Sequence, residues 1–182
     1  MKTRHVTRIW PSSLVFANPT GSLFWQAMEL VLVFLQLWRQ SPIHAIRLAG
    51  NGKPPIPVWV SQKPGPQEPS LLYYRGLLYA LMDNGVLVCL DGKTGEEVYR
   101  QRLGGDCNST PVASDGRIYA SNVGGTTFVV QAGREFKLLA TNELGERITA
   151  SPAITGNDLL YRTDSHLYCV GQAVPPNRPD RR

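Results

Sequence analysis

Apolar residues in the middle and C-terminal parts of the chain fall in short runs divided by turn-forming residues. After Pro69, the run Leu71-Leu72-Tyr73-Tyr74 in 70–74 meets a turn at Gly76, and Leu77-Leu78-Tyr79 follows. Asp83-Asn84-Gly85 separates that run from 86–90, and a further run covers 97–103. Runs of this length, rich in Val, Ile, Leu, Tyr and Thr and bounded by Gly, Asn, Asp and Pro, predict β-strands joined by tight turns. Asn84-Gly85 predicts a type I′ hairpin, which requires positive φ at both central residues. Val86-Leu87-Val88-Cys89-Leu90 does not alternate with polar residues, the pattern of a strand covered on both faces.

The same order of parts recurs. Pro69, Pro111 and Pro152 open three similar segments at spacings of 42 and 41 residues. Each has a Pro-led strand (70–74, 111–114, 152–155), a Gly-containing turn, a second strand ending in Tyr79, Tyr119 or Tyr161, then a hairpin and a third strand (86–90, 126–130, 166–170). The first two add a fourth strand at 97–103 and 136–142. Counting back by 40 places Ile46, Leu48, Gly52 and Trp59 under Val86, Val88, Gly92 and Tyr99. A period near 40 with four short strands is the spacing of β-propeller blades. The expected fold is therefore all-β: a partial β-propeller of about three four-stranded blades over 44–171. Its pieces are 44–66, 69–108, 109–148 and 149–171, meaning the last two strands of one blade, two whole blades and the first three strands of another.

Residues 1–43 stand outside this register. Lys2, Arg4 and Arg8 precede an apolar stretch over 23–38, but Gln26, Glu29 and Gln36 interrupt it. It is shorter than the ~20 residues of a membrane span, and no small-residue cleavage site follows. An N-terminal segment that is helical, buried or foreign to the fold is expected; a signal or membrane contact through 23–38 is the weaker alternative. Residues 172–182 read as a disordered basic tail.

Charge and cysteine content narrow the function classes. The net charge of +5 is confined to the ends, since 70–170 hold nine Lys/Arg against eleven Asp/Glu. A slightly acidic body gives no nucleic-acid footprint. Cys89, Cys107 and Cys169 are odd in number and lack C-x-x-C spacing, which disfavours a zinc site or a full disulfide framework. Cys89 and Cys169 are two repeats apart and predict equivalent buried strand positions, while Cys107, in a Gly-Asp loop, is the one candidate for an exposed thiol. His5, His44 and His166 are scattered, and no metal site is expected.

Cys89-Leu90-Asp91-Gly92-Lys93-Thr94-Gly95-Glu96-Glu97-Val98-Tyr99 resembles the docking motif of PQQ-like (pyrroloquinoline-quinone-like) β-propeller repeat proteins, A-x-D-x-x-T-G-x-x-x-W. Asp91, Thr94 and Gly95 stand at the family's places, Cys89 replaces the alanine, and Tyr99 replaces the tryptophan that stacks between blades. Asp followed by Thr-Gly closes a tight turn with side-chain to backbone bonds, and a planar aromatic fills the wedge between sheets. The structural blade motif is thus Asp91, Thr94, Gly95 and Tyr99. The resemblance is to the non-catalytic type, apparently a C-terminal fragment of a larger repeat protein. It implies protein binding or scaffolding, a periplasmic or cell-envelope location, and no cofactor. The alternative is a remnant or subunit of a PQQ-dependent quinoprotein oxidoreductase. That family's adjacent cysteines, calcium ligands and catalytic aspartate cannot be placed here.

No residue is assigned to catalysis. Asp164-Ser165-His166 holds three triad residue types, but all sit in one hairpin turn rather than converging from separate elements. Gly50-Asn51-Gly52-Lys53 is followed by two prolines where a phosphate-binding helix should begin. Glu96-Glu97 flank a turn and point to opposite faces of the next strand. An incomplete propeller leaves two blade faces uncovered: truncation of a longer chain is the leading expectation, self-association through those faces and a cap formed by the N-terminal apolar segment are the alternatives, and the protein partner is unidentified.

Overall fold

The computed structural model describes residues 2–6, 31–33, 42–47 and 56–171, the first two stretches as backbone only. The described residues form four antiparallel sheets. β1 (Lys2–Val6) belongs to the last of them. The first blade has β2 (Val31–Val33), β3 (Pro42–Arg47) and β4 (Ile56–Pro64), and the second has β5 (Leu72–Tyr74), β6 (Leu77–Leu81), β7 (Val86–Asp91) and β8 (Glu97–Arg102). The third blade has β9 (Val112–Ser114), β10 (Arg117–Ser121), β11 (Thr126–Gln131) and β12 (Leu138–Glu143). The fourth has β13 (Ala153–Thr155), β14 (Asp158–Arg162) and β15 (Leu167–Gly171), with β1 as its outer strand. This is the all-β partial propeller that the repeat predicts.

The N-terminal part enters the sheets at two places where the register predicted none. β1 lies antiparallel on β15, with Arg4 opposite Cys169, so the fourth blade has four strands rather than three. An outer edge of unpaired N–H and C=O groups is thereby satisfied. Within the apolar stretch 23–38, Val31–Val33 is strand, not helix, and Leu32 lies opposite Ala45. Two β-branched residues in this triplet favour the pleated form. Pro42 and Ile43 begin β3, and the rest of 1–43, the turn 50–53 and the tail 172–182 lie outside the described residues.

Turn geometry corrects two details. The type I′ turns are not at Asn84-Gly85 but at Arg75-Gly76 and Asp115-Gly116, where φ is 51° and 79°, and 48° and 74°. At the hairpin 83–85 only Gly85 has positive φ, the Gly85 amide donates to the Met82 carbonyl, and the Met82 amide to that of Val86. This is a three-residue loop closed by a left-handed glycine, and 123–125 repeats it. Tyr161 is the second correction. Counting from the β5–β6 and β13–β14 turns, Leu160 holds the place of Tyr79 and Tyr119, and Tyr161 that of Ala80 and Ala120. It therefore points to the opposite face of its sheet from the other two tyrosines.

Three apolar clusters fill the seams. Ile43 and Trp59 of the first blade meet Leu78, Ala80, Val88 and Leu90 of the second. The other face of the second blade, with Leu77, Tyr79, Leu81, Leu87 and Cys89, meets Ile118, Ala120 and Val130 of the third. Tyr119 and Val112 of the third then meet Leu159, Tyr161, Tyr168 and Val170 of the fourth, with Ile148 between them. Each middle sheet is buried on both faces, which is why β7 reads as a continuous apolar run.

Gly125 shows how closely the loops pack. Its φ is 92°, and a Cβ there would collide with the Glu146 carbonyl oxygen. Gly125→Ala should lower stability by more than ~1 kcal/mol, because both the left-handed backbone and the contact are lost. A thermal melt measures this, and an unchanged midpoint would contradict the loop geometry.

Candidate functional site: the blade-docking seams

The β7–β8 turn is built by Asp91. Its carboxylate accepts hydrogen bonds from the amides of Lys93 at 2.9 Å and Thr94 at 3.2 Å, while its own amide donates to the Glu96 carbonyl at 2.8 Å. Thr94 Oγ1 accepts from the Glu96 amide at 3.3 Å. Gly95 has φ 76°, and the Trp59 ring lies so close that an added Cβ would stand 2.6 Å from two ring carbons. Trp59 Nε1 donates to the Gly92 carbonyl at 3.2 Å. An indole on the outer strand of the first blade thus docks on the turn of the second. A glycine is needed there for both conformation and clearance.

The pairing register explains what the count by 40 missed. Ala45 lies opposite Trp59 as Cys89 lies opposite Tyr99, and both pairs are followed by the same bulge. Trp59 and Tyr99 are 40 residues apart, but Ala45 and Cys89 are 44 apart, because the β3–β4 connection is longer. Ala45, rather than the Ala49 that a count back by 40 from Cys89 gives, therefore holds the small-residue place of the motif, and Ile46 matches Leu90 rather than Val86. The alanine and tryptophan of the motif are both present, in the first blade.

In the second seam Tyr99 meets Phe136 edge-on, with ring centroids 5.7 Å apart at 69°. Three polar contacts cross beside it. The Gly133 amide donates to Tyr79 Oη at 3.0 Å, the Gly116 amide donates to Tyr74 Oη at 3.0 Å, and Arg134 Nη1 donates to Asp91 Oδ2 at 2.7 Å. Asp91 therefore closes its own turn and anchors the next blade. The Arg134 guanidinium, aided by the Lys93 amide, holds the Asp91 carboxyl below the usual carboxylate range. Burial pushes the Cys89 thiol up to about 11 and the Tyr79 hydroxyl up to about 12, and raises Tyr99 as well. The Tyr99 hydroxyl is buried without a hydrogen-bond partner.

The third seam uses different groups. Ala140 stands opposite Val129, at the place of Trp59 and Tyr99, so no aromatic docks there. Glu146 takes over: its carboxylate accepts from Thr163 Oγ1 at 2.6 Å and Tyr168 Oη at 2.8 Å and lies 2.7 Å from His166 Nδ1. Those hydroxyls, Thr163 first, hold its carboxyl below the usual range. At the start of the inner strands, the Ser70 amide donates to Thr110 Oγ1 and the Thr110 amide to Ser151 Oγ, a hydroxyl relay through three successive blades.

The remaining candidates from the sequence are placed as follows. Asp164 and Ser165 form a two-residue hairpin loop between Thr163 and His166. Glu97 accepts from Lys63 at 3.2 Å and Arg100 at 2.8 Å. Cys107, the candidate exposed thiol, is 1% exposed in the second seam, and burial pushes its thiol up to about 11. The loop turns it inward because its amide donates to the Asp83 carbonyl. Arg134 and Glu146 were not singled out by sequence. Neither belongs to a motif, and each acts across a seam on a residue 43 or 17 to 22 positions away.

The family model described as outer membrane protein assembly factor BamB matches residues 12–134. The chain belongs to that family. Within the BamB-type family, the crystal structure of BamB from Moraxella catarrhalis is similar in fold, with a TM-score of 0.59 at 14% identity, over 72% of this chain and 38% of that one. The computationally designed Ika4 protein gives a TM-score of 0.55 at 14% identity, over 72% of this chain and 80% of that one. A quinohemoprotein alcohol dehydrogenase from Pseudomonas putida reaches a TM-score of only 0.48, over 54% of this chain and 17% of that one. No curated protein matches the sequence. The chain spans well under half the length of the Moraxella BamB.

Tyr99 separates ring packing from hydroxyl chemistry. Tyr99→Ala should cost ~3 kcal/mol through the emptied wedge, whereas Tyr99→Phe should be neutral or stabilising, since it removes a buried unpaired hydroxyl. Chemical denaturation measures both, and a large loss in the Phe variant would contradict the unpartnered hydroxyl. Asp91→Asn tests the turn. A carboxyl with a depressed folded pKa contributes stability above its unfolded value of about 4 and loses it as pH falls through the folded value. The variant should melt lower than wild type at neutral pH, with the gap closing on acidification. A pH-independent gap would contradict the ion pair with Arg134.

Proposed function

We propose that the blade region 44–171 is a non-catalytic protein-binding module, a propeller segment that scaffolds partners in the assembly of outer-membrane proteins. The observation that carries this reading is membership of the BamB-type family over 12–134. A second supports it: three acidic side chains at and beside the seams are engaged in building the fold. Asp91 binds Arg134, Glu97 binds Lys63 and Arg100, and Glu146 binds Thr163 and Tyr168. Binding is then left to loops and blade edges, where Tyr73 presents an exposed aromatic surface, the residue type that anchors protein interfaces. The motif residues Asp91, Thr94, Gly95 and Tyr99 serve the scaffold rather than the partner. A cell-envelope location follows from the same reading.

The test places a photo-crosslinking amino acid at position 73 in the full chain, expressed in a Gram-negative cell. Crosslinks to outer-membrane assembly proteins are expected. The purified chain supplied with PQQ and calcium should not bleach a redox dye. Dye reduction, or crosslinks confined to soluble redox proteins, would overturn the reading in favour of a quinoprotein subunit.

A further inference from the structure

We propose that the cleft between the end of β4 and strands β7 and β8 binds a monoanionic amphiphile, an apolar chain ending in a carboxylate. The cleft has a volume of about 460 Å³, within the ~300–1,000 Å³ of small-molecule sites. It lies inside the first seam, beside the contact of Trp59 with Gly95, so both of its walls are blades of this chain. Its floor is apolar, with Ile43 from the first blade and Ala80, Met82, Val88 and Leu90 from the second. Its rim is charged, with Lys63 on one side and Glu97 and Arg100 on the other. An apolar base with a few convergent polar groups is the usual form of a ligand pocket. The cleft shares no residue with the Tyr73 surface.

An irregularity that β8 and β12 lack opens this cleft. Residues 61–63 oppose Ile43 alone, since Val60 pairs with His44 and Pro64 with Pro42. At the corresponding places Arg100, Gln101 and Arg102 pair one to one with β7, and Thr141, Asn142 and Glu143 do so with β11. Ser61 holds the bulge: its Oγ accepts from the Ile43 amide at 2.8 Å and donates to the Lys63 carbonyl at 2.6 Å. Lys63 is thereby carried across the seam, where its Nζ lies 3.2 Å from Glu97 Oε2. Bulges commonly re-aim a side chain in this way beside a binding or active site.

The charged rim is not a feature of the repeat either. In the third blade Leu138 and Thr141 hold the places of Glu97 and Arg100, so the fold does not require the charges. Arg100 grips Glu97 through Nε at 3.1 Å and Nη2 at 2.8 Å, and Lys63 donates to the same carboxylate. Two cations therefore share one anion. One positive charge is left over, together with the free N–H groups of Lys63, whose side chain is 64% exposed. Glu96, the remaining charged group of the lining, accepts from Thr94 Oγ1 at 3.4 Å and lies in the field of Arg134. A single negative head matches the excess charge, and a carboxylate accepts well from an ammonium. An apolar chain matches the floor, whereas a neutral or cationic head would leave the charge unmet.

The experiment titrates the full chain with decanoate, decanol and decyltrimethylammonium, read by calorimetry and by the methyl carbon resonance of Met82. Decanoate should bind once per chain and shift the Met82 methyl, more tightly than the other two probes and less tightly at high salt. Lys63→Glu, at an exposed position, should weaken decanoate about tenfold or more and favour the cationic probe instead. Met82→Trp should block the cleft to decanoate, and the Lys63 variant decides alone if the Trp variant loses its cooperative melt. Absence of saturable decanoate binding would overturn the proposal. So would a Met82 methyl that does not move, equal binding of the cationic probe to the wild type, or a decanoate affinity unchanged in Lys63→Glu.

Discussion

A planar side chain laid against the backbone of the neighbouring blade's turn is the contact on which the rest of this structure depends. Blades are wedge-shaped in cross-section and share no strand, so nothing covalent but a loop holds one to the next. A short-range apolar contact at the outer edge, backed by two or three directed hydrogen bonds, sets the angle between sheets. Trp59 on Gly95 does this in the first seam, and Tyr99 against Phe136 does it in the second. Where the aromatic is missing, at Ala140, a carboxylate from the linking loop holds the seam through two hydroxyls.

The same constraint explains where the polar chemistry went. A turn that must present a glycine to an indole needs its other donors satisfied internally, and Asp91 does this with one oxygen while the other reaches Arg134. Tyr74 and Tyr79 cross the seam with their rings in the apolar layer and their hydroxyls on amides of the third blade. Buried tyrosines need a partner for the hydroxyl, and Tyr99 is the exception. It stands where the motif has tryptophan, whose ring nitrogen in the first seam finds the Gly92 carbonyl. A chain whose acids, hydroxyls and basic groups are engaged in this way is suited to hold a shape and offer its loops.

The strand pattern and the repeat of about 40 residues were legible because turns and apolar runs are local. The fold class, the order of strands in the middle blades and the equivalence of Cys89 with Cys169 all follow from them. Features that depend on pairing partners were not legible. The count by 40 placed Trp59 correctly but misplaced β3, since a longer β3–β4 connection shifts one strand and leaves the other in step. Tyr161 looked equivalent to Tyr79 because a tyrosine one residue away imitates the pattern, and only the turn at 156–157 sets its face. The pairing of Lys2–Val6 with the last blade joins opposite ends of the chain, and no local signal marks it. Arg134 and Glu146 were invisible for the same reason.

If docking makes the array one cooperative unit, the seams should open only when the blades unfold. Native-state hydrogen exchange on the Gly116 and Gly133 amides, which donate to tyrosine hydroxyls of the preceding blade, tests this most directly. The account predicts that both exchange with the same opening free energy as amides in β6 and β7. Exchange of the two glycines through a separate, low-energy opening, with the strands still protected, would contradict it and show blades that part without unfolding.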